Sequence, residues 1–127
     1  MSSSRAVLLI DHHSAQLVPL DAPESQVRRI HEHTHQTRQH GSAVRSEHEF
    51  FAEVCEALSG VAKVLVTGSH QAQADFARYV EKHRPAIAPR IVGWETVDHP
   101  TLAQLQAQAR EFFVKYELFA SGPTTPV

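Results

Sequence analysis

Apolar and polar positions divide the chain into short segments, most of which announce their own secondary structure. Ala6 to Ile10 is an uninterrupted apolar run closed by Asp11, the pattern of a buried strand. Asp11-His12-His13-Ser14 is a polar turn, and Ala15 to Leu20 alternates weakly after it, as a hairpin partner would. Pro19 withdraws a backbone donor from that second strand, which predicts an edge position or a bulge. Asp21 to Ser25 is a further turn with Pro23. Gln26 to His35 then reads as a third extended segment, with Val27, Arg29, His31, His33 and His35 on one face and Arg28, Ile30 and Glu32 on the other.

Gln36 to Ala43 is polar, contains Gly41 and predicts a loop. Ser46-Glu47-His48-Glu49 has the spacing of a capping box and predicts a helix from Ser46 to about Ser59, ended by Gly60. Phe50, Phe51, Val54, Cys55 and Leu58 form its apolar face. Ala62 to Thr67 is an apolar run suited to a central parallel strand. Gly68-Ser69 turns into a second helix over His70 to His83, with Ala72, Phe76, Tyr79 and Val80 inward. Pro85 and Pro89 close that segment, and Arg90 to Thr96 is a fifth strand. Asp98-His99-Pro100-Thr101 opens a last helix with proline in an early position. Leu102, Leu105, Ala109, Phe112, Phe113 and Tyr116 form its stripe. Ala120 to Val127 reads as a frayed tail.

The order is β-β-β-α-β-α-β-α. Right-handed crossovers then give an α/β fold with a mixed five-stranded sheet and helices packed on it, the ribonuclease H-like arrangement. A length of 127 residues, 42% hydrophobic and 20% charged, suits one such domain over residues 1–119 followed by the tail at 120–127. The single cysteine, Cys55, excludes an intrachain disulfide and suits a reducing compartment. The first residues lack signal-peptide architecture, and no run is long enough to span a membrane. A cytoplasmic protein is expected.

Charge changes this picture in one place. The chain carries a net −2, yet Arg28 to Arg45 holds Arg28, Arg29, Arg38 and Arg45 against Glu32 alone. That segment is +3 and the remainder −5. It also holds four of the ten histidines, His31, His33, His35 and His40. After Ile30 it has no large apolar residue, so it is suited to contact rather than to a core.

Two chemistries fit such a segment. Arg28, Arg29, Arg38, His40 and Arg45 can bind RNA phosphates, because guanidinium bonds phosphate through two donors. No aromatic residue lies among them, so stacking on unpaired bases is not expected. Alternatively, His31, His33 and His35 stand on one strand face, about 7 Å between neighbours from the strand rise, and two of them could share a zinc or nickel ion with a third ligand from His12, His13 or Glu47. A ribonuclease H-like sheet also raises a nuclease reading, with Asp11, Glu49 or Glu53, and Asp98 holding magnesium. Against it, the fourth strand ends VLVTGSH without an acid. Gly68-Ser69-His70 reads as a tight turn rather than a phosphate loop, having one glycine and no lysine. Cys55 reads as a core thiol, and Trp94 as either core or surface.

Several segments in order resemble the middle domain of the archaeal and eukaryotic peptide-chain release factor family, which includes the ribosome-rescue factor Pelota. They are LLIDHHSAQLVPL, RSEHEFFAEV, VLVTGSHQAQADFARYV and RIVGWETVDHPTLAQLQAQAREF, within Arg5 to Tyr116. Bacterial stand-alone proteins labelled translational machinery proteins, and small host-attachment proteins, are similar in layout. The resemblance implies a ribosome or tRNA partner. In release factors the loop before the first helix carries Gly-Gly-Gln. Here the matching loop is Arg38-Gln39-His40-Gly41-Ser42-Ala43, so peptidyl-tRNA hydrolysis does not carry over. The expectation is a non-catalytic, translation-associated protein without a cofactor. The alternatives are a metal-dependent enzyme, by the nuclease or histidine–zinc route, and a module that self-associates as a homodimer through the Pro19 strand as sheet edge.

Overall fold

A computed structural model describes residues 5–21, 26–32 and 42–121. Five strands form one sheet in the order β3-β2-β1-β4-β5. These are β1 (Arg5–Ile10), β2 (Ser14–Pro19), β3 (Arg28–His31), β4 (Lys63–Gly68) and β5 (Ile91–Thr96). The first three pair antiparallel, whereas β4 pairs parallel to both β1 and β5. Among the described residues three helices accompany the sheet: α1 (Ser42–Leu58), α2 (His70–His83) and α3 (Leu102–Ser121). A 3-10 turn over Pro85–Arg90 occupies the segment closed by the two prolines. The mixed α/β sheet expected from the sequence is the one found.

Strand alternation sends two sets of side chains to opposite faces. Ala6, Leu8, Ile10, Val64 and Val66 meet Phe50, Phe51, Val54 and Leu58 of α1 and Phe76 and Val80 of α2. Val7, Val18 and Leu65 meet Leu105, Ala109 and Phe113 of α3. Gly93 is needed on the α3 side, since a Cβ there would run into the Phe112 ring. Cys55 is fully buried, and burial pushes its thiol up to about 11. Trp94 lies 41% exposed at the margin of the core, its ring 6.4 Å from that of Phe76.

Four local expectations need correction, each for a physical reason. The third strand is Arg28–His31, not Gln26 to His35. His31 is already opposite Ser14, the first residue of β2, so the partner runs out there. Just past the strand, the Glu32 N–H donates to the His13 carbonyl at 2.8 Å. Second, α1 begins at Ser42, leaving Ser46 inside the helix and buried. Ala43-Val44-Arg45 contains no breaker, so the helix propagates back towards Gly41 in the sequence. Ser42 and Ala43 therefore belong to the helix rather than to the loop. Third, the capping box sits on α3. The Gln104 N–H donates to Thr101 Oγ1 at 3.1 Å, and the Thr101 N–H donates to Gln104 Oε1 at 2.9 Å. Pro100 precedes this cap and is not part of the helix.

Fourth, the Pro19 strand is not a sheet edge, because β3 covers it. The proline is tolerated by position. The N–H of Leu20 bonds Arg5 of β1, so the nitrogen of Pro19 points the other way, beyond Leu17 where pairing with β3 stops. Self-association through a β2 edge is therefore excluded; β3 and β5 are the edges.

Candidate nucleic-acid interface

Arg28 and Arg29 are adjacent and exposed on β3, an edge strand held in place by buried Ile30. Ile30 packs on the α1 and α2 side, so Arg28 shares that face and Arg29 shares the opposite one with His31. The edge therefore presents guanidinium groups to both sides, and His31 is exposed at its end. Arg45 lies in the first turn of α1. Arg38, His40, His33 and His35 lie outside the described residues. Of the three imidazoles expected in a row, His31 closes β3, and the other two lie outside the described residues.

Glu32, the residue after β3, is tied to the β1–β2 hairpin. Asp11 organises that turn: its carboxylate accepts the N–H groups of His13 and Ser14, each at 2.8 Å, and the Ser14 hydroxyl at 3.2 Å. Partial burial pushes the Asp11 carboxyl up, but these donors outweigh it and hold it below its ordinary value. His13 Nδ1 donates to Glu32 Oε1 at 2.7 Å, joining the turn to the exit of β3. The bond to Glu32 raises the His13 imidazole. His12 Nε2 approaches Asp75 of α2 at 3.9 Å.

The ends of β4 and β5 are pinned alongside. Gln73, buried on α2, donates its Nε2 to the carbonyls of Gly68 and Glu95 at 2.8 and 2.9 Å. Gly68 has φ +147° and lies against the Ile10 carbonyl, a position closed to any Cβ. Ser69 Oγ accepts the Ala72 N–H at 3.2 Å and so caps α2, as a tight strand-to-helix turn requires.

Two of the acids weighed for a nuclease differ in setting. Asp11 is engaged in its own turn, Asp98 is fully exposed beside His99, and β4 ends in Gly68. Among the described residues no three histidine, cysteine or acidic side chains are grouped for a metal ion.

One cluster escaped the sequence reading. His48 of α1 and Tyr79 and His83 of α2 pack ring to ring: centroids are 4.7 Å apart for Tyr79–His83, 5.5 Å for His48–Tyr79 and 5.4 Å for His48–His83. The i,i+4 spacing of Tyr79 and His83 is visible in the sequence, but the third ring arrives from another helix.

No protein-family model matches the chain, and no curated protein matches it in sequence. The Pelota protein of Thermoplasma acidophilum superposes over 94% of the chain, with a TM-score of 0.50 and 16% identity. Pelota of Archaeoglobus fulgidus superposes over 96%, with a TM-score of 0.50 and 18% identity. The chain shares its ribonuclease H-like fold with Pelota. It spans only 33% and 41% of those two proteins, so the shared unit is a part of each. At such identity the likeness concerns the fold.

Proposed function

We propose that the chain is a non-catalytic, translation-associated protein that contacts ribosomal RNA or tRNA in the cytoplasm through the Arg28 to Arg45 segment. The observation that carries this reading is the exposed Arg28–Arg29 pair on an edge strand, at the start of the cationic stretch of sequence that runs to Arg45. Paired guanidinium groups on an open edge suit phosphate oxygens and supply salt-dependent, sequence-tolerant affinity. The shared fold with Pelota supports the choice of partner. The absence of Gly-Gly-Gln from Arg38 to Ala43 supports contact without peptide release. A buried lone cysteine suits the reducing setting in which ribosomes work.

Co-sedimentation with ribosomes at low and high salt tests the reading. Wild-type protein pellets with ribosomes at low salt and is released at high salt. The Arg28→Glu/Arg29→Glu and Arg38→Glu/Arg45→Glu variants remain in the supernatant at both. Equal pelleting of wild type and both variants would overturn the proposal.

A further inference from the structure

The cleft between α1 and α2 has a volume of about 210 Å³ and is bounded by His48, Tyr79 and His83, with Arg78, Lys82 and Asp75 at its margin. Its rings continue a stack that begins in the core. Phe76 and Phe51, both buried, meet edge to face at 5.4 Å, and Phe51 meets Tyr79 at 5.5 Å. Tyr79 in turn carries His48 and His83, both exposed. The outermost imidazoles are therefore held in place from behind, while their outer surfaces face water.

We infer that this cleft is a single-stranded RNA subsite, in which an unpaired base stacks on His48 and His83 and its phosphate meets Lys82 and Arg78. Imidazole rings are used for base stacking in RNA recognition, and a ring ordered in advance costs little entropy to engage. Charge plays a smaller part than at the β3 edge. Lys82 and Arg78 are balanced at the cleft by Glu47 and Asp75, and Asp75 already lies 3.4 Å from Arg78. Stacking thus leads and the cations orient the backbone. The inference rests on the RNA-contact reading for its class of ligand, but it concerns a different face and a different interaction.

Fluorescence anisotropy with a labelled eight-nucleotide RNA, single-stranded or annealed to its complement, tests it. Wild-type protein should prefer the single strand. His48→Ala/His83→Ala should lose about tenfold in single-strand affinity, in the range of one lost stacking contact, and leave duplex affinity unchanged. His48→Phe/His83→Phe should restore single-strand binding. Both positions are exposed, so an unchanged thermal melt establishes that the variants fold. Salt separates the two surfaces: the alanine variant keeps the wild-type slope of affinity against salt, whereas Arg28→Glu/Arg29→Glu flattens it. Equal binding of single strand and duplex, or indifference to the alanine pair, would overturn the inference. So would RNA binding that appears only with added zinc and disappears with chelator, which would mark His48 and His83 as metal ligands. Ribosome pelleting by the alanine variant reports independently on the β3 edge.

Discussion

Where β1 and β4 begin, charge is neutralised in a closed set. Arg5 reaches Asp21 at 2.9 Å and Glu117 of α3 at 3.2 Å, and its guanidinium lies 5.9 Å from the centre of the Phe113 ring. Lys63 lies over Tyr116 beside it, at 5.4 Å. Where the same strands finish, the basic side chains are more exposed. His13 is 80% exposed even though it bonds Glu32, His12 stands 3.9 Å from Asp75, and His31 faces solvent opposite Ser14, with Arg29 and Arg28 following it along the edge strand opposite Gln16 and Leu17. The first end uses cations to close the sheet against α3. The second displays them along an edge. The same residue types therefore serve stability at one end and availability at the other.

The comparison is most easily broken at Gly68. Its positive φ and its approach to the Ile10 carbonyl fix the register in which β1 and β4 end together. Gly68→Ala should cost about 3 kcal/mol, the strained-backbone scale with steric crowding added. Chemical denaturation measures it, and a change below 1 kcal/mol would show that the turn relaxes freely. Next in size is Arg28→Glu/Arg29→Glu. Stability should move by less than about 0.5 kcal/mol, as for exposed sites. RNA affinity should fall at least tenfold, with the salt slope reduced by about two, one per lost phosphate contact. Arg5→Ala should behave in the opposite way. It should lower stability by about 1 kcal/mol after screening, through lost ion pairs and the lost approach of its guanidinium to Phe113, and leave RNA affinity unchanged.

The smallest effects are also the most discriminating, because the two ends respond to pH in opposite directions. The hydrogen bond from Arg5 holds Asp21 below its ordinary 3.8. Its contribution is complete above that value and is lost as pH falls through the lowered pKa. The bond to Glu32 holds His13 above its ordinary 6.5. Its contribution is complete below that value and is lost as pH rises through the raised pKa. Both groups are solvated, so each effect should be a few tenths of a kcal/mol, about 0.5 at most. Site-resolved NMR titration reads them separately. A His13 midpoint at or below 6.5 would show that its bond to Glu32 does not persist in solution.

Elements whose signals are local were legible in the sequence. The apolar runs of β1 and β4 and the Gly68-Ser69 entry to α2 each depend on neighbours in the chain, and they were placed within a residue or two. Features set by distant partners were not. The length of β3 depends on where β2 stops, and the tolerance of Pro19 depends on where β3 stops. The start of α1 was misplaced because Ser46 and Glu49 imitate a cap that Thr101 and Gln104 form. Of the candidate interface, Arg28 and Arg29 were singled out from charge density and His31 as a metal ligand, and the structure places all three exposed on β3. The His48–Tyr79–His83 cluster was missed because two helices must cross before its rings meet.

The central claim is that nucleic acid meets the end of the sheet where charge is displayed, and avoids the end where it is neutralised. Titration of isotope-labelled protein with tRNA, followed by amide chemical shifts at low salt, tests this most directly. The account expects progressive, salt-reversible shifts at Arg28 to Glu32 and at His12 to Ser14, with Arg5, Asp21 and Glu117 unmoved. Shifts centred on Arg5, Asp21 and Glu117, or none anywhere at low salt, would contradict it.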